Sequence, residues 1–171
     1  MKAQMRTRMA VMMAMVVAVL LNATPVMAQK KVADKELVGV WLMQSMQYDG
    51  EDVIRCGKDF RQVKIFGPKG EYSAVSIALS SRGDIRIFAG EHGTYTFKNG
   101  VYSEMGREAT TDGVVLKDKT TFQGRFHNRT DIWKKATKFP EELETFLIEK
   151  SKSFQGPSAK MQRLIKDNCF E

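Results

Sequence analysis

Gly93-Thr94-Tyr95-Thr96-Phe97-Lys98-Asn99-Gly100-Val101-Tyr102-Ser103-Glu104-Met105 is the stretch on which the fold turns. Asn-Gly between two runs rich in Thr, Tyr, Phe and Val signals a two-residue β-hairpin. A type I′ turn needs positive φ at both central positions, which Asn and Gly tolerate. That turn dictates a register: Lys98 opposite Val101, Phe97 opposite Tyr102, Thr96 opposite Ser103, Tyr95 opposite Glu104. Side chains alternate between faces along a strand. Tyr95, Phe97, Tyr102 and Glu104 therefore share one face, and Thr94, Thr96, Lys98 and Ser103 the other. The aromatic face is expected to point inward, which puts a carboxylate on a wall of rings.

A carboxylate in that position is costly unless it is paired or hydrogen-bonded. The hydroxyls of Tyr95 and Tyr102 are candidate partners, as is an inward cation such as Arg61 or Arg86. Tyr95, Phe97, Tyr102 and Glu104 thus form a candidate ligand-binding set, a polar handle in an otherwise apolar cavity. The competing reading makes Glu104 a rim residue reaching water, or one half of a structural ion pair.

Working outward, similar short runs recur: Leu37 to Met43, Phe60 to Phe66, Glu71 to Ala78, Gly113 to Leu116, Thr120 to Phe126, and Asp131 to Lys134. They are rich in Val, Ile, Thr, Tyr and Phe and are separated by turn signals such as Asp49-Gly50, Gly67-Pro68-Lys69-Gly70 and Arg82-Gly83-Asp84. Regular spacing of this kind indicates an all-β, antiparallel barrel or sandwich. Glu91-His92-Gly93 and Gly106-Arg107-Glu108 read as loops. The tail changes character. Pro140-Glu141-Glu142 opens a segment with Leu143, Phe146, Leu147 and Lys150 at helical spacing, suiting a helix start with proline and acids in the first turn. Ser158 can cap a second helix carrying Met161, Leu164 and Ile165 on one face. Two amphipathic helices packed outside the strands are expected, in preference to membrane attachment.

Residues 1–28 read as a secretory signal peptide: Lys2, Arg6 and Arg8 without an acid, an uncharged apolar run from Met9 to Leu21, then Val26-Met27-Ala28 before a cut near Ala28-Gln29. The run is shorter than the ~20 residues of a membrane-spanning helix, so no membrane span is expected after cleavage and the protein is expected to be periplasmic or secreted. Seven of the eleven Met residues lie in this leader, so the Met count does not indicate a Met-rich surface. Cleavage takes the formal charge from +7 to +4 and leaves 143 residues, enough for one domain with a core. Residues 29–35 read as a flexible leader, 36–137 as the barrel, and 138–171 as a helical extension. Lys and Arg are scattered among Asp and Glu, which argues against a nucleic-acid partner.

The only two cysteines, Cys56 and Cys169, are a possible disulfide in an oxidising compartment, or two free thiols. With His92 and His127 the only histidines and no Cys-x-x-Cys, a metal site or a Ser-His-Asp triad has little to draw on. No cofactor is expected.

Gly39-Val40-Trp41 in the first strand, with Trp133-Lys134-Lys135 in the last, resembles the signature of the lipocalins and related calycin barrels. Leu37 to Lys135 is similar to small exported bacterial lipocalin-like domains. The resemblance implies an up-and-down barrel of about eight to ten strands, closed at one end by Trp41. It makes Gly39, Trp41 and a last-strand cation, Lys134 or Lys135, structural residues, the cation lying over the indole. Arg is the usual cation there. It also implies binding of a small apolar molecule in the barrel.

Three functions are weighed. The first is an exported protein holding a small hydrophobic or amphipathic ligand. The second is a protein-interaction or inhibitor module whose barrel is filled by side chains. The third is an enzyme using His92, Tyr102 and Glu104 as acid-base groups; without a nucleophile-base spacing, it ranks last and a non-enzyme is expected.

Overall fold

A computed structural model describes residues 35–99, 101–105, 110–153 and 156–170, with the backbone alone for 105 and 110–115. The signal peptide and most of the leader lie outside the described residues, as does Gly106-Arg107-Glu108. Among the described residues, nine strands form one antiparallel sheet: β1 (Gly39–Tyr48), β2 (Ile54–Arg55), β3 (Phe60–Phe66), β4 (Glu71–Leu79), β5 (Ile85–Lys98), β6 (Val101–Met105), β7 (Thr110–Lys117), β8 (Thr121–Phe126) and β9 (Arg129–Lys135). From β3 to β9 each strand pairs with the next, and β1 pairs with β3 on one edge and with β9 on the other. Eight strands therefore close into an up-and-down barrel, with the two-residue β2 attached to the far half of β1.

The β5–β6 register is the one the Asn99-Gly100 turn dictates, pair for pair from Lys98↔Val101 to Tyr95↔Glu104. Asn99 has φ of +52°, as that turn requires. Alternation then sorts the barrel wall into two cores. Inward side chains (Trp41, Met43, Phe66, Tyr72, Tyr95, Phe97, Tyr102, Phe122, Trp133) pack with Leu37 and Cys56 inside the barrel. Outward ones on the same strands (Val40, Val63, Ile65, Val75, Ile77, Ile85, Ile87) form a second core under the tail.

The tail supplies α1 (Glu141–Lys150) and α2 (Ala159–Cys169). Pro140 is the N-cap of α1, and the Ser158 hydroxyl accepts from the Met161 amide at the start of α2. Leu143, Leu147, Ile165 and Cys169 turn into the outer core and are buried. The two helices therefore pack on the barrel, as their apolar faces predict. No helix among the described residues is long and apolar enough to cross a membrane.

One expectation needs correction. Glu91-His92-Gly93 is no loop: it lies within the fourteen-residue strand β5. Gly90 is glycine because the chain end of α1 lies against it; a Cβ there would stand 2.8 Å from the Ser151 carbonyl oxygen. A glycine inside a strand marks this kind of close backbone approach. Of the two alternatives left open for the cysteines, the structure has the second. Cys56 and Cys169 are free, buried thiols in different cores. Arg61 stands between the cores' elements, donating to the Cys169 carbonyl (2.6 Å) and to the Met43 carbonyl (2.6 Å) beside the bulge in β1.

Candidate functional site

Residues at the start of β1 and the end of β9 build the closed end of the barrel. Trp41 donates its indole N–H to the Leu37 carbonyl (2.7 Å) and meets Phe122 edge-on at 5.1 Å. Of the two candidate lysines, Lys135 lies over the indole, 5.4 Å from the ring centre, and is tied to the Glu36 carbonyl at 2.8 Å. Burial lowers its pKa below the usual lysine value. Lys134 faces outward to the Thr120 and Thr121 hydroxyls. Gly39 has φ of +123°, and a Cβ there would stand 3.2 Å from the Lys135 stem. The small residue, the ring and the cation thus form one clamp. Phe66, Tyr95, Tyr102 and Phe122 fill the space above it, with ring centres 4.7–6.1 Å apart.

Beyond that plug the barrel opens into a chamber of about 210 Å³. Lys64, Tyr102, Glu104, Phe122 and Trp133 line its deeper part, and Gln62, Glu91, Phe126, Arg129 and Asp131 line it toward the open end. Ala74 and Gly124 complete the wall and leave it room.

Of the four proposed ligand residues, Tyr102 and Glu104 line the chamber, whereas Tyr95 and Phe97 belong to the packed plug. The Tyr95 hydroxyl donates to the Gly67 carbonyl at 3.0 Å. The Glu104 partners are the Tyr102 hydroxyl, which donates to Oε2, and Lys64 Nζ, at 2.8 Å from Oε1 and 2.6 Å from Oε2. Neither Arg61, on the outer face, nor the exposed Arg86 is that cation. Glu104 is therefore half of a buried ion pair. The pair also lines the chamber.

Lys64 holds a second set of contacts. Its ammonium lies 5.2 Å from the ring centre of Trp133, 5.4 Å from Tyr72, 5.7 Å from Tyr102 and 5.9 Å from Phe66. A cation over ring faces within about 6 Å is held by their quadrupoles. Burial, and the charge of Glu104 after it, push the Tyr102 phenol well above its ordinary pKa, so it stays a donor. The Tyr72 hydroxyl donates to Glu91, and burial likewise raises its pKa.

Toward the open end, Arg129 donates through Nη2 to Asp131 Oδ2 at 2.8 Å. Its Nε also stands 2.8 Å from Asp131 Oδ1, yet both atoms are buried without a hydrogen bond. That contact is a charge pair with its N–H misdirected. Burial raises the pKa of Asp131 against the opposing pull of Arg129. Arg129 stacks over Phe126 at 5.5 Å.

The residues missing from the sequence reading are Lys64, Glu91, Phe126, Arg129 and Asp131. The signal for Lys64 was Phe60-x-Gln62-x-Lys64-x-Phe66, which sets the lysine on the face of two phenylalanines. The signal for Phe126, Arg129 and Asp131 was the tight turn His127-Asn128, which pairs Phe126 with Arg129 and so turns Asp131 and Trp133 inward; Glu91 shares the face of Tyr95 and Phe97 by alternation along β5. His92 follows the inward Glu91 and faces out, so His92, Tyr102 and Glu104 do not converge. Among the described residues, no group of three His, Cys, Asp or Glu side chains is placed to hold a metal ion.

The strand order, the Trp41 clamp and the internal chamber define a lipocalin-like (calycin) barrel with a charged interior. Solved structures similar to it include a lipocalin-like protein from Bacteroides uniformis (18% identity, TM-score 0.44), the alignment covering 59% of this chain and 99% of that one. Another is an uncharacterized protein from Bacteroides eggerthii (15%, TM-score 0.43, 58% and 99%). A third is the siderocalin Ex-FABP, described as functioning through dual ligand specificities (14%, TM-score 0.37, 68% and 85%). The fold class stands on the chain's own strand order and clamp. No family model matches the chain, and no curated protein is similar to it.

Proposed function

We propose that this chain is an exported, non-enzymatic binding protein that holds one small amphipathic molecule in the barrel chamber. The observation that carries the reading is the chamber itself: about 210 Å³ of space inside a closed barrel, walled by Phe122, Phe126 and Trp133 and reached by five charged side chains. Binding sites are usually concave, mostly apolar and supplied with a few convergent polar groups. The volume lies below the ~300–1,000 Å³ of common ligand pockets, which favours a compact molecule over a long-chain lipid. The charges favour an amphipathic ligand over a wholly apolar one.

Native mass spectrometry of protein purified from its own host, without denaturation, tests this. The expected result is a retained small molecule, lost on unfolding, on a chain beginning at Gln29. Consistent recovery of the empty chain would overturn the binding reading; recovery of uncleaved chain would overturn export. The competing reading is a protein-interaction or inhibitor module. The ring-filled closed half of the barrel is the observation on its side, and it predicts capture of a protein and no retained small molecule.

A further inference from the structure

We infer that the chamber takes a small organic cation, an ammonium carried on an aromatic or apolar body, with Glu91 as its counter-charge. The inference rests on the reading of the barrel as a binding protein and names the chemistry of its ligand.

Charge balance is the first support. Among the described residues, three carboxylates, Glu91, Glu104 and Asp131, and two cations, Lys64 and Arg129, line the chamber. Lys64 is committed to Glu104 and Arg129 to Asp131. Glu91 has the Tyr72 hydroxyl as its partner and, among the described residues, no cation. Among the described residues the lining therefore carries one formal negative charge in excess, at an exposed position toward the open end. An incoming anion would meet that excess and find both cations already paired. A cation would neutralise it.

The second support is independent of Glu91. Two rings of the chamber, Trp133 and Tyr102, already lie beside an ammonium, that of Lys64, at 5.2 and 5.7 Å. Phe126 adds a ring toward the open end that already carries the Arg129 guanidinium. Aromatic faces beside a carboxylate are the standard means of holding organic ammonium groups.

Three probes of matched size separate the possibilities: benzylamine (an ammonium ion at neutral pH), benzyl alcohol and benzoate. Each is titrated into the full chain after leader removal, at pH 7 and low salt, with tryptophan emission as the readout, since Trp133 lines the chamber. Benzylamine is expected to bind about tenfold more tightly than benzyl alcohol, with benzoate weakest. Glu91→Gln should remove most of that advantage, and a far-ultraviolet circular dichroism spectrum and thermal midpoint matching the parent certify that the variant is folded. Benzoate or benzyl alcohol binding as tightly as benzylamine would overturn the cation inference and leave the binding reading standing. So would a benzylamine affinity indifferent to Glu91→Gln. Failure of all three probes would overturn both.

Discussion

At the scale of single residues, the Lys64–Glu104 pair dominates the energetics of the chamber. Two charges have been removed from water, and their attraction, the Tyr102 hydroxyl and the rings compensate. Removing one partner strands the other, at a cost of ~3–5 kcal/mol, whereas replacing both with groups of similar shape is often close to neutral. Glu104→Gln should therefore destabilise strongly. Lys64→Met in the same chain should recover most of the loss, because the glutamine still accepts from Tyr102. Urea denaturation of the two single variants and the double variant checks this; a loss under about 0.5 kcal/mol in Glu104→Gln, the scale of an ordinary surface substitution, would show the pair to be solvated.

The buried thiols act at the same scale, at alkaline pH. Burial pushes Cys169 up to about 12 from an ordinary 9.0. The unfolded thiol thus loses its proton where the folded one keeps it, so the stabilisation is complete below pH 9 and is lost as pH rises toward 12. Tyr102, raised above 10.0, extends the trend upward. Stability should decline from pH 9, and Cys169→Ala should make the first part of that decline shallower. Cys56, also raised by burial, keeps it from vanishing. Urea midpoints between pH 7 and 11 report the slope; identical slopes in the two proteins would sink the assignment.

At the scale of elements, the contact of α1 with β5 is the most exacting. Gly90→Ala places a methyl group 2.8 Å from the Ser151 carbonyl oxygen and 2.9 Å from its Cα, both backbone atoms that cannot swing aside. Overpacking of this kind costs ~1–3 kcal/mol. A thermal midpoint unchanged from the parent would mean that the helix end is not seated there. The same contact explains what was illegible. The β5–β6 register was readable because Asn99-Gly100 is a local device whose geometry its two residues set. The first half of β5 was not readable: Gly90 and Gly93 look like loop glycines until the chain end of α1, some sixty residues on, is known to lie against the first of them. The site divides in the same way. Tyr102 and Glu104 followed from a local turn. The Lys64 partner comes from a strand forty residues away, and only barrel closure, a long-range event, brings the two together. Tyr95 and Phe97 were assigned to the right face, but depth along the barrel axis, which alternation leaves open, puts them in the plug.

At the scale of the molecule, the strands under the tail are shared between two cores. On β3, Phe66 points into the barrel while Val63 and Ile65 point under the helices; on β4, Tyr72 points in while Val75 and Ile77 point out. A shift of either strand by one residue would exchange the two sets, so each core holds the register on which the other depends. The helices should therefore melt with the barrel and not before it. Leu147→Ala, a wholly buried residue of α1 at the outer core, should cost ~2–5 kcal/mol. The loss should appear equally in far-ultraviolet circular dichroism and in the emission of Trp41 and Trp133, although both indoles lie on the other side of the wall. Coincidence of the two probes is the mark of a single cooperative transition. If the variant's helical signal fell first while tryptophan emission held its parental midpoint, the tail would be an independent appendage. The barrel would then have to hold its register through the inner core and its hydrogen-bond ladder alone.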